Sequence, residues 1–332
     1  MKKILNSPQA YVDEMLEGLV AAHPEALRRQ GDGGRVIARA GGAVPGKVGI
    51  VTGGGSGHLP VFLGYVGDGL LDACAVGNVF AGPRMEDCQA AVHAANGGAG
   101  VLQLYGNYGG DRMNFDMAQE FLQMEGLDVA SIRVADDVAS ASAEERIKRR
   151  GVAGMVYAFK IAGARAAEGG SLKEVTQAAR KAADACRSIG VALTPCVVPE
   201  SGKASFTIGD SEIEFGMGIH GEPGIWRGAM KSADALADEM LDHLLPELEL
   251  TRGGRVAVLV NSLGATPHEE LYILYRRVAQ VLDAKGVVPV MPLVGRYATS
   301  MEMAGASLTL MPLDGELERL LKTPAQCPFW KV

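Results

Sequence analysis

VGIVTGGGSGHLPVF, from Val48 to Phe62, decides how the rest of the chain is read. The apolar, β-branched run of Val48, Ile50 and Val51 ends in Gly53, Gly54, Gly55, Ser56 and Gly57, and His58 stands where the glycines stop. A strand running into such a loop exposes main-chain groups that side chains would otherwise screen, so a ligand can approach them closely. A plain turn is the structural alternative. Four consecutive residues of Gly-Gly-Gly-Ser expose more backbone than a turn needs, which favours a ligand site. Standard nucleotide loops do not fit: no Gly-Lys-[Ser/Thr] follows, and the third glycine of G-x-G-x-x-G, counted from Gly53, falls on His58.

Working outward, GVLQLYGNYGGD (Gly100–Asp111) repeats the pattern of apolar run, glycines and polar residue. LLDACAVGNVF and helix-spaced EDCQAAVHAANG lie between the two, while MNFDMAQEFLQMEG and the strand-like DVASIRVADDV follow. This alternation predicts βαβ units with helices around a sheet. Residues 8–30 carry Val12, Met15, Leu16, Leu19 and Val20 at helical spacing, and one long amphipathic stretch is expected from Gly154 to Gly190. Beyond Gly190 come short strands bounded by Pro, Gly and Asp, with Phe206, Ile208, Ile213 and Phe215 as candidate core. A helix near 230–245, the strand RVAVLVNSL, the helix HEELYILYRRVAQVLDAKG and two closing strands complete the pattern. The expected fold is two α/β domains with sheets flanked by helices: residues 1–188 with the glycine-rich loop, and 189–332 carrying His220.

Length and composition agree, since 332 residues with 48% hydrophobic and 5% aromatic content suit a two-domain helix-and-strand enzyme. A net charge of −7 without a basic block argues against nucleic acid. Cys74, Cys88, Cys186, Cys196 and Cys327 lack metal-site or disulfide-framework spacing, which suits reduced thiols in a cytoplasm. Neither a signal peptide nor a long apolar membrane span is expected.

Three residues stand out as chemistry. His58 tips the first glycine cluster. Asp111 closes the second, where it also reads as a helix N-cap. His220 lies in GMGIHGEPG, among glycines 216, 218, 221 and 224 and beside Pro223, so its imidazole is presented as a nucleophile, a base or a metal ligand. Metal is the weaker reading, because no second ligand sits at ligand spacing nearby. The Arg149–Arg150 pair reads as the solvated end of a helix, and the other histidines sit in helical or cap contexts.

GGGSGH, GNYGGD, FKIAGA, GMGIHGEPG, VNSLGATPHEELYI and SLTLMPLD, in this order, resemble the ketose-binding K subunit or K domain of the dihydroxyacetone kinase family. The resemblance implies a homodimer of two-domain α/β chains in which His220 adds to a ketose carbonyl as a hemiaminal. It implies that Asp111 accepts the proton of the terminal hydroxyl attacking phosphorus, that His58 assists, and that main-chain groups of Gly54, Gly55, Ser56 and Gly57 contact substrate. The chain stops at Val332, before any all-helical nucleotide domain, so the resemblance implies a separate L subunit carrying ADP or ATP with Mg2+. The ultimate donor is then ATP or a phosphotransferase-system component, and no cofactor is expected on this chain. Family members that bind the ketose as non-catalytic sensors or coregulators are the alternative. Two departures matter: Leu59 replaces the usual Glu of His-Glu-Pro, and Gly106 replaces a Lys before Asn-Tyr. Losing that Lys would make room, so the expected ketose is larger than dihydroxyacetone, such as erythrulose.

Overall fold

A computed structural model describes residues 2–332. Along the first half run α1 (Tyr11–Ala22), β1 (Leu27–Gln30), β2 (Val36–Arg39), β3 (Gly49–Ser56), β4 (Ala73–Val79), α2 (Met85–Ala95), β5 (Val101–Gly106), α3 (Gly109–Met124) and β6 (Val129–Val134). They form a six-stranded sheet in the order β1-β2-β4-β3-β5-β6. β4, β3, β5 and β6 are parallel, and β2 and β1 extend one edge antiparallel. β3 and β5 are buried almost throughout, as expected of parallel strands covered on both faces.

The first helix is shorter than its hydrophobic spacing suggests. Pro24 disfavours helical geometry at His23, and after it Leu27–Gln30 turns back to pair with Val36–Arg39 as an edge strand.

The stretch expected as one amphipathic segment divides into α4 (Gly154–Ala167), α5 (Leu172–Ala185) and β7 (Arg187–Thr194). Gly169 adopts φ +79°, and Ser171 and Glu174 then form a capping box that starts α5. β8 (Glu212–Phe215), β9 (Trp226–Ala229), α6 (Ala233–Leu244), β10 (Arg255–Ser262), α7 (His268–Ala284), β11 (Val288–Gly295), β12 (Ala304–Leu313) and α8 (Gly315–Lys322) follow, and the hairpin β13 (Gln326–Cys327) and β14 (Trp330–Lys331) closes the chain. The second sheet has the order β11-β10-β12-β7-β8-β9. β10 and β11 pair in parallel across α7, whereas the other neighbours are antiparallel. The division expected at 188/189 falls inside β7. Of the expected core residues after Gly190, Ile213 and Phe215 are buried, whereas Phe206 and Ile208 are half-buried in irregular chain.

α4 is apolar all round and buried all round, the signature of a helix with packed neighbours on every side. It contacts α5, α8, β3, β5 and β6 and also β12 of the second sheet, so one hydrophobic core runs from Ile50 and Leu104 through Met155 and Phe159 to Leu259 and Met311. Its one buried charge, Lys160, donates to the Leu320 carbonyl at 2.7 Å in the last turn of α8, where a cation suits the helix C-terminus.

Gly163 sets how closely α4 approaches the chain before β4, because a Cβ there would lie 2.3 Å from the Gly69 carbonyl oxygen. Helix propensity alone predicts that Gly163→Ala stabilises the protein by roughly 1 kcal/mol. The contact predicts the opposite, a loss of about 1–3 kcal/mol in denaturant unfolding from overpacking. A rise in stability would contradict the packing described.

Candidate active site

The glycine cluster turns out to be mostly strand. Gly53, Gly54, Gly55 and Ser56 continue β3 and pair with Ala75, Val76, Gly77 and Val79, so only Gly57 and His58 lie beyond the sheet. Its residues are glycine because neighbours press onto the strand: a Cβ on Gly54 would sit 2.4 Å from the Phe62 ring, and one on Gly55 would sit 2.8 Å from the Ala81 nitrogen. Ser56 Oγ is committed to the Gly77 carbonyl at 2.9 Å. At Gly57 the chain turns with φ +101°, a conformation that L side chains rarely adopt, and this delivers His58 into the interior.

His58 and His220, 162 residues apart, meet edge to face with ring centroids 4.8 Å apart. Phe80 stacks on His58 at 4.9 Å, and Tyr108 meets His220 edge-on at 4.8 Å. His58 Nδ1 lies 2.7 Å from the Thr299 carbonyl oxygen, an acceptor only, so Nδ1 carries the proton and Nε2 the lone pair. Burial, reinforced by the His220 charge, lowers the His58 pKa to about 3 against the opposing pull of the Thr299 carbonyl and Glu222, which leaves the ring neutral near pH 7.

His220 has a carboxylate behind it. Glu222 Oε1 lies 3.0 Å from His220 Nδ1, and Oε2 accepts the His220 main-chain N–H at 2.9 Å. Burial would raise the pKa of Glu222, but the hydrogen bond and charge of His220, its own main chain and Arg150 hold it at about 2. An anionic partner fixes the proton on Nδ1, so Nε2 is the ring nitrogen left for chemistry. Arg150, 3.8 Å from Glu222, is itself held by Asp137 at 2.9 Å and the Gly216 carbonyl at 3.3 Å.

Asp111 lies in the first turn of α3, which begins at Gly109. Tyr108 is the N-cap, so the capping role expected for Asp111 is not taken. Its Oδ1 is buried against Gly82, where a Cβ would approach to 2.7 Å, and has no hydrogen-bond partner. Burial raises the pKa of Asp111 to about 7, with the His220 charge pulling it partly back. His58 Nε2 and the Tyr108 hydroxyl are likewise buried without partners, so three orphaned polar atoms belong to one site.

One expectation changes. Arg149 and Arg150 are not a solvated helix end: Arg149 is buried and paired bidentately to Glu247 at 2.6 and 2.7 Å, and Arg150 braces Glu222. At Gly106 a Cβ would lie 3.2 Å from Met155 Sδ and 3.4 Å from the Gly151 carbonyl oxygen, so a side chain there would need Met155 to shift slightly. Leu59 packs on the core and lines a cavity with Tyr11, Met15, Gly57 and Thr299. Sequence reasoning also missed Glu222, Arg150, Thr299, Phe80 and Tyr108. Only Glu222, two residues after a glycine-framed histidine, had a local signal. Among the described residues no group of three or more His, Cys, Asp or Glu side chains could hold a metal ion, and no helix is long and apolar enough to cross a membrane.

This architecture is that of the dihydroxyacetone kinases. The crystal structure of the C. freundii dihydroxyacetone kinase superposes with a TM-score of 0.90 at 32% identity, over 99% of this chain and 60% of that one. The dihydroxyacetone kinase operon co-activator Dha-DhaQ superposes at 0.88 with 33% identity, over 96% and 97%. The Dak1 domain profile matches residues 17–329, and the chain belongs to that family. It is 46% identical, over the whole of both chains, to the dihydroxyacetone-binding subunit of a PTS-dependent dihydroxyacetone kinase of Listeria innocua. It is 41% identical to an L-erythrulose 1-kinase of Mycolicibacterium smegmatis, over 100% of this chain and 58% of that protein.

The raised pKa of Asp111 also bears on stability. A carboxyl whose folded pKa lies above its unfolded value stabilises fully below the unfolded pKa, and that contribution is lost as pH rises through the folded one. Asp111→Asn should therefore raise the denaturation midpoint at about pH 8 and leave it nearly unchanged below about pH 4. Equal midpoints at both pH values would contradict a buried, unpartnered Asp111.

Proposed function

We propose that this chain is the ketose-binding subunit of a dihydroxyacetone-type kinase and captures a three- or four-carbon ketose through His220. The carrying observation is the Glu222-pinned imidazole, whose Nε2 is left for chemistry beside His58 and Asp111. Membership of the Dak1 family and similarity to both a dihydroxyacetone-binding subunit and an erythrulose kinase support the substrate class.

In this reading Nε2 forms a bond to the carbonyl carbon as the C=O π bond breaks. The oxygen takes a proton and becomes hydroxyl, Nδ1 releases one, and the two balance through solvent. Only a ketone or aldehyde can react so, which excludes polyols of the same size. His58 Nε2, an acceptor with no protein partner, receives a hydrogen bond from a ketose hydroxyl, and main-chain groups of Gly54–Gly57 and Gly106 border the sugar. Asp111 takes the proton of the terminal hydroxyl as that oxygen attacks phosphorus; its raised pKa makes it a stronger base than an ordinary carboxylate. Fixing a small flexible substrate covalently supplies orientation, on which phosphoryl transfer largely depends.

The phosphoryl group comes from a partner L subunit carrying ADP or ATP with Mg2+. Alignment over the full length of the PTS-dependent Listeria subunit supports a separate donor and a phosphotransferase-system source. The similarity to Dha-DhaQ favours a second reading, a ketose-binding co-activator without turnover.

Phosphorylation of dihydroxyacetone and erythrulose, assayed with a cognate L subunit, should vanish in His220→Ala. In Glu222→Gln it should fall about 100-fold, as expected when a positioning carboxylate is lost. In the wild type the rate should rise with pH through about 7 as Asp111 ionises. Turnover unaffected by His220→Ala would overturn the proposal; ketose binding without turnover would favour the co-activator reading.

A further inference from the structure

On the far side of the Gly106–Tyr108 turn lies a cavity of about 330 Å3 that none of His58, Asp111, His220 or Glu222 lines. Four arginines from four separate segments converge on it: Arg133 from β6, Arg146 from the short turn before Arg149, Arg180 from α5 and Arg187 from the start of β7. One carboxylate, Asp184, faces them. Arg187 is spoken for by Glu247 at 3.0 Å and by the carbonyls of Asp184 and Cys186, and Arg146 approaches Asp184 only to 3.9 Å. Among the described residues Arg133 and Arg180 have no carboxylate within ion-pair distance.

Such a concentration of positive charge runs against the composition, since the chain carries a net charge of −7. An edge strand such as β6 can carry a lone Arg as protection against pairing. That accounts for Arg133, but not for three more guanidinium groups brought to the same concavity from other elements. Unpaired like charges around one cavity repel one another and raise its affinity for an anion. Guanidinium forks match the oxygen geometry of a phosphate, and a dianion offsets more of the surplus charge than a carboxylate does. The wall towards the ketose pocket is Asn107, whose amide is consumed by the carbonyls of Ile147 and Arg149.

We infer that this cavity is a second, non-catalytic site that binds a phosphate monoester. The site needs no carbonyl in its ligand and no participation by His220, so it is independent of ketose capture.

The test is calorimetric titration of the full chain at low ionic strength with glycerol 3-phosphate, a phosphate monoester that offers His220 no carbonyl. Inorganic phosphate and AMP serve as parallel arms. Saturable binding is expected that weakens with added salt and survives His220→Ala. It should fall at least about ten-fold in the Arg133→Gln/Arg180→Gln double variant, the scale of losing charge-assisted hydrogen bonds. Ketose binding by the double variant should be unchanged, which also shows that it is folded. The tightest of the three ligands identifies whether a sugar phosphate, a nucleotide or free phosphate is the source. Binding that persists in the double variant, disappears in His220→Ala or is absent from the wild type would each overturn the inference.

Discussion

Each half of the chain helps to hold the other half's imidazole, and the site depends on that reciprocal clasp. His58, carried at the end of β3, is fixed by the Thr299 carbonyl of the second half, and Met301 N–H binds the Gly57 carbonyl at 2.7 Å beside it. His220, carried on the loop after β8, is fixed by Glu222, which Arg150 of the first half braces. Arg150 in turn is tied to Asp137, and neighbouring Asp136 accepts the main-chain N–H groups of Val152 and Gly154 at the start of α4. The same buried helix that joins the two cores therefore anchors the positioning of His220. Loosening either latch separates the two rings without touching either histidine.

The clasp explains the composition of GMGIHGEPG in physical terms. A Cβ on Gly218 would lie 2.3 Å from Glu222 Oε2 and 2.5 Å from Arg150 Nη1, so a side chain there would displace the carboxylate from the imidazole. Gly221 follows His220 with φ +86°, and this turn lets Glu222 reach back to both the ring and the main chain of His220. The charges are unevenly distributed. Glu222 stays ionised because it has partners, whereas Asp111, buried without any, holds its proton up to about pH 7, and His58 is kept neutral. A permanent carboxylate, a titrating carboxylate and a neutral imidazole thus surround the His220 ring.

Local pattern made much of this legible in the sequence. Strand-then-glycine runs located β3 and β5, and glycine framing singled out His58, Asp111 and His220, which the fold brings to one place. Features set by packing were not legible. Gly53–Ser56 reads as a loop because glycine has little strand propensity, yet Phe62, Ala81 and Phe115 press on the strand and require it. The run from Gly154 appears amphipathic until one finds that α4 has neighbours on every side. Arg150 carries no sequence mark of its role, since its partner Glu222 lies 72 residues away. The antiparallel pairing of most of the second sheet was equally hidden, because strand periodicity does not encode direction.

Covalent capture by His220 is tested by carbon-13 NMR of dihydroxyacetone labelled at its carbonyl carbon and bound to the protein. If His220 captures the ketose covalently, the label moves from the carbonyl region to that of a tetrahedral carbon bearing nitrogen and oxygen, and this signal is absent in His220→Ala. A ligand that binds while its label stays in the carbonyl region, or a tetrahedral signal that survives His220→Ala, would contradict it.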